Sequence, residues 1–149
     1  MTGTKCIIGI DPGITGAVAY NYGETVEVYD MPRTLFGIDS LFRTFIPDPI
    51  AVIEVSQPVP MEGAASIATF FKHIGHLQGL LYSNGIKWME VRPQDWKRAM
   101  GCKGKTRAEQ KAWSIAEAKS LYPDKDIGQR KDAGRADALL IARYGRRFL

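Results

Sequence analysis

The chain has 149 residues, 45% hydrophobic and 24% charged, and a formal net charge of +4. This suffices for a single domain spanning residues 1–149 with a core of its own, and the composition is ordinary for a globular protein. No apolar stretch reaches membrane-span length, the N-terminus lacks the pattern of a signal peptide, and Cys6 and Cys102 offer no disulfide framework, so a reducing cytoplasm is the expected setting.

Lys5-Cys6-Ile7-Ile8-Gly9-Ile10-Asp11 is an apolar run ending in one carboxylate, followed by the turn Pro12-Gly13-Ile14-Thr15-Gly16. Such a run, bounded by turn residues, predicts a strand buried on both faces. An Asp at its end is costly unless it caps its own turn or faces a cleft and binds a cation. Residues 17–20 and 25–29, joined around Asn21-Tyr22-Gly23, predict two further strands that complete an antiparallel meander. Residues 35–45 space Leu35, Ile38, Leu41, Phe42 and Phe45 as an amphipathic helix ended by Pro47 and Pro49. Residues 50–55 predict a second buried strand, with Glu54 near its carboxyl end.

A loop over 56–63 presents Val59 and Met61 and leads into the longest predicted helix, 64–82, where Gly75 and Gly79 permit close approach of another backbone. Asn84-Gly85 turns into a strand over 87–91. Pro93 opens a short helix that Gly101 stops, and Thr106 with Glu109 forms a capping box for a helix reaching about Leu121. Residues 123–131 are polar and expected to be exposed, and a last helix over about 135–144 carries Asp137 among apolar neighbours. The order predicts an α/β fold: a mixed five-stranded sheet, a three-stranded antiparallel meander plus parallel strands, with flanking helices. A crossover joins the strands ending in Asp11 and Glu54, so they can lie parallel and present both acids at one end of the sheet. Asp137 completes a triad if the last helix packs there.

Charge is unevenly spread. Residues 87–111 hold eight basic residues, among them Arg92, Lys97, Lys103, Lys105, Arg107 and Lys111, against three acidic ones, which leaves the rest of the chain near neutral. A polyanion suits this segment, the alternative being a solvated lysine-rich face. Three carboxylates without neighbouring Cys or His suit Mg²⁺ or Mn²⁺ over Zn²⁺; His73 and His76 lie away on the long helix. Two such ions about 3.5–4 Å apart serve phosphodiester hydrolysis, and the basic segment would hold the phosphates that the acids repel. Acids for metal and bases for backbone together describe a nuclease.

Gly9-Ile10-Asp11-Pro12-Gly13, Ile53-Glu54 and Gly134-Arg135-Ala136-Asp137-Ala138-Leu139-Leu140-Ile141-Ala142, in that order, resemble the RuvC-type Holliday junction resolvases, above all their phage-type branch. Val91-Arg92-Pro93 and Trp96-Lys97 resemble the family's strand-to-helix segment, and Lys111 stands where RuvC-like proteins carry a basic residue. The resemblance covers nearly the whole chain. It implies an RNase H-like fold, a homodimer, Mg²⁺ or Mn²⁺ (two ions per site), and paired nicks across four-way DNA junctions in a bacterial or phage-infected cell. Asp11, Glu54 and Asp137 match the family's catalytic, metal-binding acids. Two positions depart from the pattern. The family's fourth metal-binding side chain stands three residues before the last Asp, where this chain has Gly134. Asp132 is the nearest substitute, and it is equally placed to cap the last helix. The bacterial aromatic wedge three residues after the Glu is here Gln57, so Val59 or Met61 takes its place or the loop packs on its own domain. Two rivals remain: a branched-DNA-binding protein that does not cut, and an actin-like ATPase or kinase fragment, for which the chain lacks a second nucleotide-binding half.

Overall fold

The structure, a computed structural model, describes residues 3–58 and 61–149. Strands β1 (Cys6–Asp11), β2 (Ala17–Tyr22), β3 (Thr25–Asp30), β4 (Ile50–Glu54) and β5 (Lys87–Val91) form one sheet in the order β3-β2-β1-β4-β5. The first three strands pair antiparallel, whereas β4 is parallel to both β1 and β5. The mixed sheet, meander plus parallel pair, is the predicted one.

Helices cover both faces, which is why β1 and β4 are apolar on both sides. Alternation along β1 sends Ile7 to one face and Ile8 and Ile10 to the other. Ile8, Ile10 and Ile53 pack with Ile38 and Phe42 of α1 (Leu35–Thr44) and with Ile74, Leu77 and Leu81 of α2 (Ala64–Ser83). Ile7 and Val52 meet Ala138, Leu139 and Ala142 of α5 (Ala133–Phe148), with Trp96 of α3 (Pro93–Ala99) and Ala118 of α4 (Arg107–Leu121) in the same cluster. Each fully buried Ile contributes about 1.5–3 kcal/mol. Gly9 fixes how α5 lies: a Cβ there would strike the backbone of Ala138 and Ala142, so helix and strand touch main chain to main chain. A register slip that moved Ile8 or Ile10 into that place would force the two apart.

Local chemistry sets the element ends as expected. Thr34 Oγ1 accepts from Gly37 N at 3.0 Å at the start of α1, and the Thr106–Glu109 capping box opens α4. Pro93 begins α3, and Gly101, at φ +94°, turns the chain out of it. Two readings are corrected. The last helix runs to Phe148, because Gly145 packs on Ile7 and Val52, too close for any Cβ, and so holds the final turn against the sheet. The 123–131 segment is not uniformly exposed: Ile127 is fully buried and a single 3₁₀ turn, Arg130–Asp132, precedes α5. Among the described residues no helix is long and apolar enough to cross a membrane, and Cys6 and Cys102 are free.

Candidate active site

Parallel pairing aligns Ile10 with Ile53, so Asp11 and Glu54, each one residue further on, leave the sheet at the same end. The close crossing of α5 over Gly9 brings Asp137 down beside them. All three carboxylates are half-buried. Burial raises the pKa of Asp11 well above its ordinary value of 3.8, and the charges of Glu54 and Asp137 raise it further. Glu54 is raised by burial, with the Trp96 hydrogen bond opposing and Asp137 adding to the rise. Asp137 is raised by burial as well; Ser114 of α4, Lys97 and Lys111 pull it down. Asp137 Oδ1 and Ser114 Oγ are nonetheless both buried without a formed hydrogen bond. The acids are near enough to repel one another, yet among the described residues no group of three or more His, Cys, Asp or Glu is drawn into a metal-ligand cluster.

The basic segment divides. Lys97 and Lys111 are the two bases whose charge acts on Asp11 and Asp137. Lys97 Nζ lies 5.5 Å from the centroid of the Trp96 ring and donates to Gln110 Oε1 at 3.5 Å. Lys103, Lys105 and Arg107 are exposed where the chain enters α4. Arg92, exposed at the end of β5, is paired with Asp95 at 2.8 Å. Gln57 is exposed and shares a cavity of about 390 Å³ with Arg92 and Asp95. Met61 is 94% exposed, and Val59 lies outside the described residues.

The two departures from the resemblance have distinct physical settings. Gly134 packs against the turn after β1, where a Cβ would run into Thr15 O, so with this turn no side chain fits at that position. Asp132 is 3% exposed and is engaged elsewhere: its Oδ2 accepts from Gln129 N at 3.0 Å and its Oδ1 lies 3.7 Å from Arg135 Nη1. It occupies the N-cap position of α5, but its side chain does not cap that helix.

Sequence reasoning missed two contributors. Trp96 Nε1 donates to Glu54 Oε2 at 2.6 Å, and Ser114 faces Asp137. The trace of the first was an aromatic with a polar tip one turn into the helix opened by Pro93; nothing in the sequence marks Ser114.

No protein-family model and no curated protein matches this chain. Solved structures do. Thermus thermophilus RuvC is similar at TM-score 0.62 and 16% identity, covering 95% of this chain and 95% of that one. T. thermophilus RuvC in complex with Holliday junction substrate matches at TM-score 0.62 and 15% identity, covering 94% of this chain and 91% of that one. The yeast mitochondrial Holliday junction resolvase Ydc2 matches at TM-score 0.50 and 18% identity, covering 99% of this chain and 80% of that one. At these identities the likeness establishes the fold: the sheet and its flanking helices have RNase H-like, RuvC-like topology.

Proposed function

We propose that this chain is a metal-dependent endonuclease that resolves four-way DNA junctions by paired nicks. One observation carries the reading: carboxylates from β1, β4 and α5 lie together at one end of the sheet, where burial raises all three and the charges of Glu54 and Asp137 raise Asp11 further. A half-buried group of raised acids that leaves Asp137 Oδ1 without a partner is short of positive charge. The donor set, all carboxylate oxygen, fits Mg²⁺ or Mn²⁺. Asp11, Glu54 and Asp137 would hold two such ions, which when bound supply Lewis-acid stabilisation for hydrolysis of a phosphodiester. Lys97 and Lys111 orient the scissile phosphate beside the acids. Lys103, Lys105, Arg107 and, on leaving Asp95, Arg92 bind flanking phosphates. Water adds to phosphorus, the bond to one ester oxygen breaks, and a terminal phosphate and a hydroxyl result.

The RuvC structure that holds a Holliday junction supports the four-way junction as substrate. Exposed Met61 supplies the apolar side chain that parts the base stack, in place of the aromatic wedge whose position Gln57 holds. Asp132, engaged with Gln129 and Arg135, serves the fold rather than the metal. A nicking assay with Mg²⁺ on synthetic four-way junctions, against linear duplex, tests the reading. Paired nicks in the junction are expected. Asp11→Asn, Glu54→Gln and Asp137→Asn should each lose more than about 100-fold in rate while still binding the junction, because even outer-shell metal partners cost 10–100-fold. Junction binding without any metal-dependent nicking would instead establish a non-cutting binder.

The two-fold symmetry of a junction calls for an isologous homodimer, with the outer face of α2 as part of the interface. A Cβ at Gly75 or Gly79 meets nothing within 4 Å, so that face is open in the single chain. Gly79→Leu should therefore stabilise a monomer slightly, by helix propensity, but break a dimer built on this face. Light scattering with and without junction DNA decides between them.

A further inference from the structure

Among the described residues, Glu54 is the one acid of the three that accepts a side-chain hydrogen bond. Trp96 Nε1 donates to Glu54 Oε2 at 2.6 Å, well within hydrogen-bond reach. Trp96 has no exposed surface; its ring packs on Trp113 of α4 with centroids 6.3 Å apart. Its backbone is fixed within α3, with Trp96 N bonded to Arg92 O at 3.3 Å and Met100 N bonded to Trp96 O at 3.0 Å. A buried indole N–H needs an acceptor, and a backbone carbonyl would serve. Here it takes a carboxylate from another element, 42 residues away in sequence.

An indole donates and never accepts, so it orients a ligand without competing for the cation. A Glu side chain at the end of a strand has three torsions to settle, and pinning one oxygen removes most of that freedom in advance. We infer that Trp96 is a positioning residue for metal binding: its N–H fixes Glu54 Oε2 and leaves Oε1 presented to the cation. The inference rests on the metal-site reading above. Because α3 and α4 grip the same ring, the placement of Glu54 is set by the helices that carry Lys97 and Lys111, and acid and phosphate-binding bases keep one relative geometry.

Trp96→Phe keeps most of the packed ring and removes the N–H. Calorimetric titration of the variant with Mn²⁺ should give an affinity about 10–100-fold weaker than wild type. Nicking should recover toward the wild-type maximum at saturating Mn²⁺, so that the loss falls on the metal requirement and not on the limiting rate. Trp113→Phe, which disturbs the same packing but spares the N–H, should bind Mn²⁺ like wild type. Indole ¹⁵N–¹H spectra of the wild-type protein give an independent reading, needed if Trp96→Phe does not fold. One of the three indole signals should move in Glu54→Gln and move again on Mg²⁺ addition to wild type. Unchanged Mn²⁺ affinity in folded Trp96→Phe, or an indole spectrum indifferent to Glu54→Gln, overturns the inference and leaves the metal site standing. No Mn²⁺ binding by the wild-type protein overturns both.

Discussion

Asp132 and Asp137 are five residues apart in sequence and belong to opposite electrostatic regimes. Around Asp132, the protein supplies its own cation. Arg135 binds Asp30 with Nε to Oδ1 at 2.7 Å and Nη2 to Oδ2 at 2.9 Å, donates to Asp126 O at 2.9 Å, and lies beside Asp132. Its hydrogen bond holds the Asp30 carboxyl below the ordinary value. Around Asp137, burial and neighbouring acids raise the carboxyls, and among the described residues no ion pair joins Asp11, Glu54 or Asp137 to a base. Lys97 and Lys111 are felt there but do not make contact. The difference separates a carboxylate used to build from one kept available: the first has its counter-charge in the chain, the second is left wanting one.

The largest expected effect sets the two acids against each other. Asp137→Asn should lower junction nicking by more than about 100-fold, whereas Asp132→Asn, which keeps an acceptor for Gln129 N, should stay within a few-fold and keep the same Mg²⁺ requirement. A raised Mg²⁺ requirement in Asp132→Asn would move Asp132 into the metal set and break the comparison. Stability should answer in reverse. Asp132→Ala strands the Gln129 N–H and should cost about 1–3 kcal/mol. At this chain length that is on the order of 2–4 °C of melting temperature per kcal/mol, read by thermal melts. Asp11→Asn should instead raise the melting temperature of the protein in EDTA, since it removes a repelled charge, and divalent ions should stabilise the wild type but not the variant.

The pH dependence sharpens the contrast further. A carboxyl raised in the folded state holds its proton to higher pH than in the unfolded chain, so stability falls as pH rises from the ordinary carboxyl range through the raised value. For Asp11, Glu54 and Asp137 that decline begins near the ordinary values of 3.8 for the Asp carboxyls and 4.5 for Glu54 and continues upward. Asp30 works the other way: its stabilisation is complete above 3.8 and is lost as pH falls through its lowered value. Melts across pH in EDTA should therefore show a decline toward neutrality in wild type that is shallower in Asp11→Asn. Parallel profiles would mean that neither burial nor the neighbouring acids raise the Asp11 carboxyl in the folded protein. The smallest effect concerns the outlying bases. Lys105→Ala and Arg107→Ala should each flatten the salt dependence of junction binding by roughly 0.9 in log–log slope, while Lys97→Ala weakens cleavage more than binding. An unchanged slope in both would mark residues 103–107 as solvated surface.

Much of this was legible from residue order. Two apolar runs ending in acids, joined by a crossover, allowed parallel neighbours with both acids at one end, because a crossover connection returns the chain in the same direction. The capping box at Thr106 and the Pro93 start were equally local, since caps bond within one turn. Gly134, Asp132 and Trp96 were not legible, because their partners lie elsewhere. Gly134 is set by Thr15 O, Asp132 by an arginine that also serves Asp30, and Trp96 by a carboxylate on β4.

Sequence alone thus determined the elements and the antiparallel meander, and allowed Asp11 and Glu54 to emerge at one end of the sheet, because periodicity and short-range turn chemistry act along the chain. The tertiary structure decided which acids stay uncompensated and which are tied down. That distinction depends on where Arg135, Trp96 and the two lysines are carried by packing, and charge–charge energies follow distance in space, not separation in sequence.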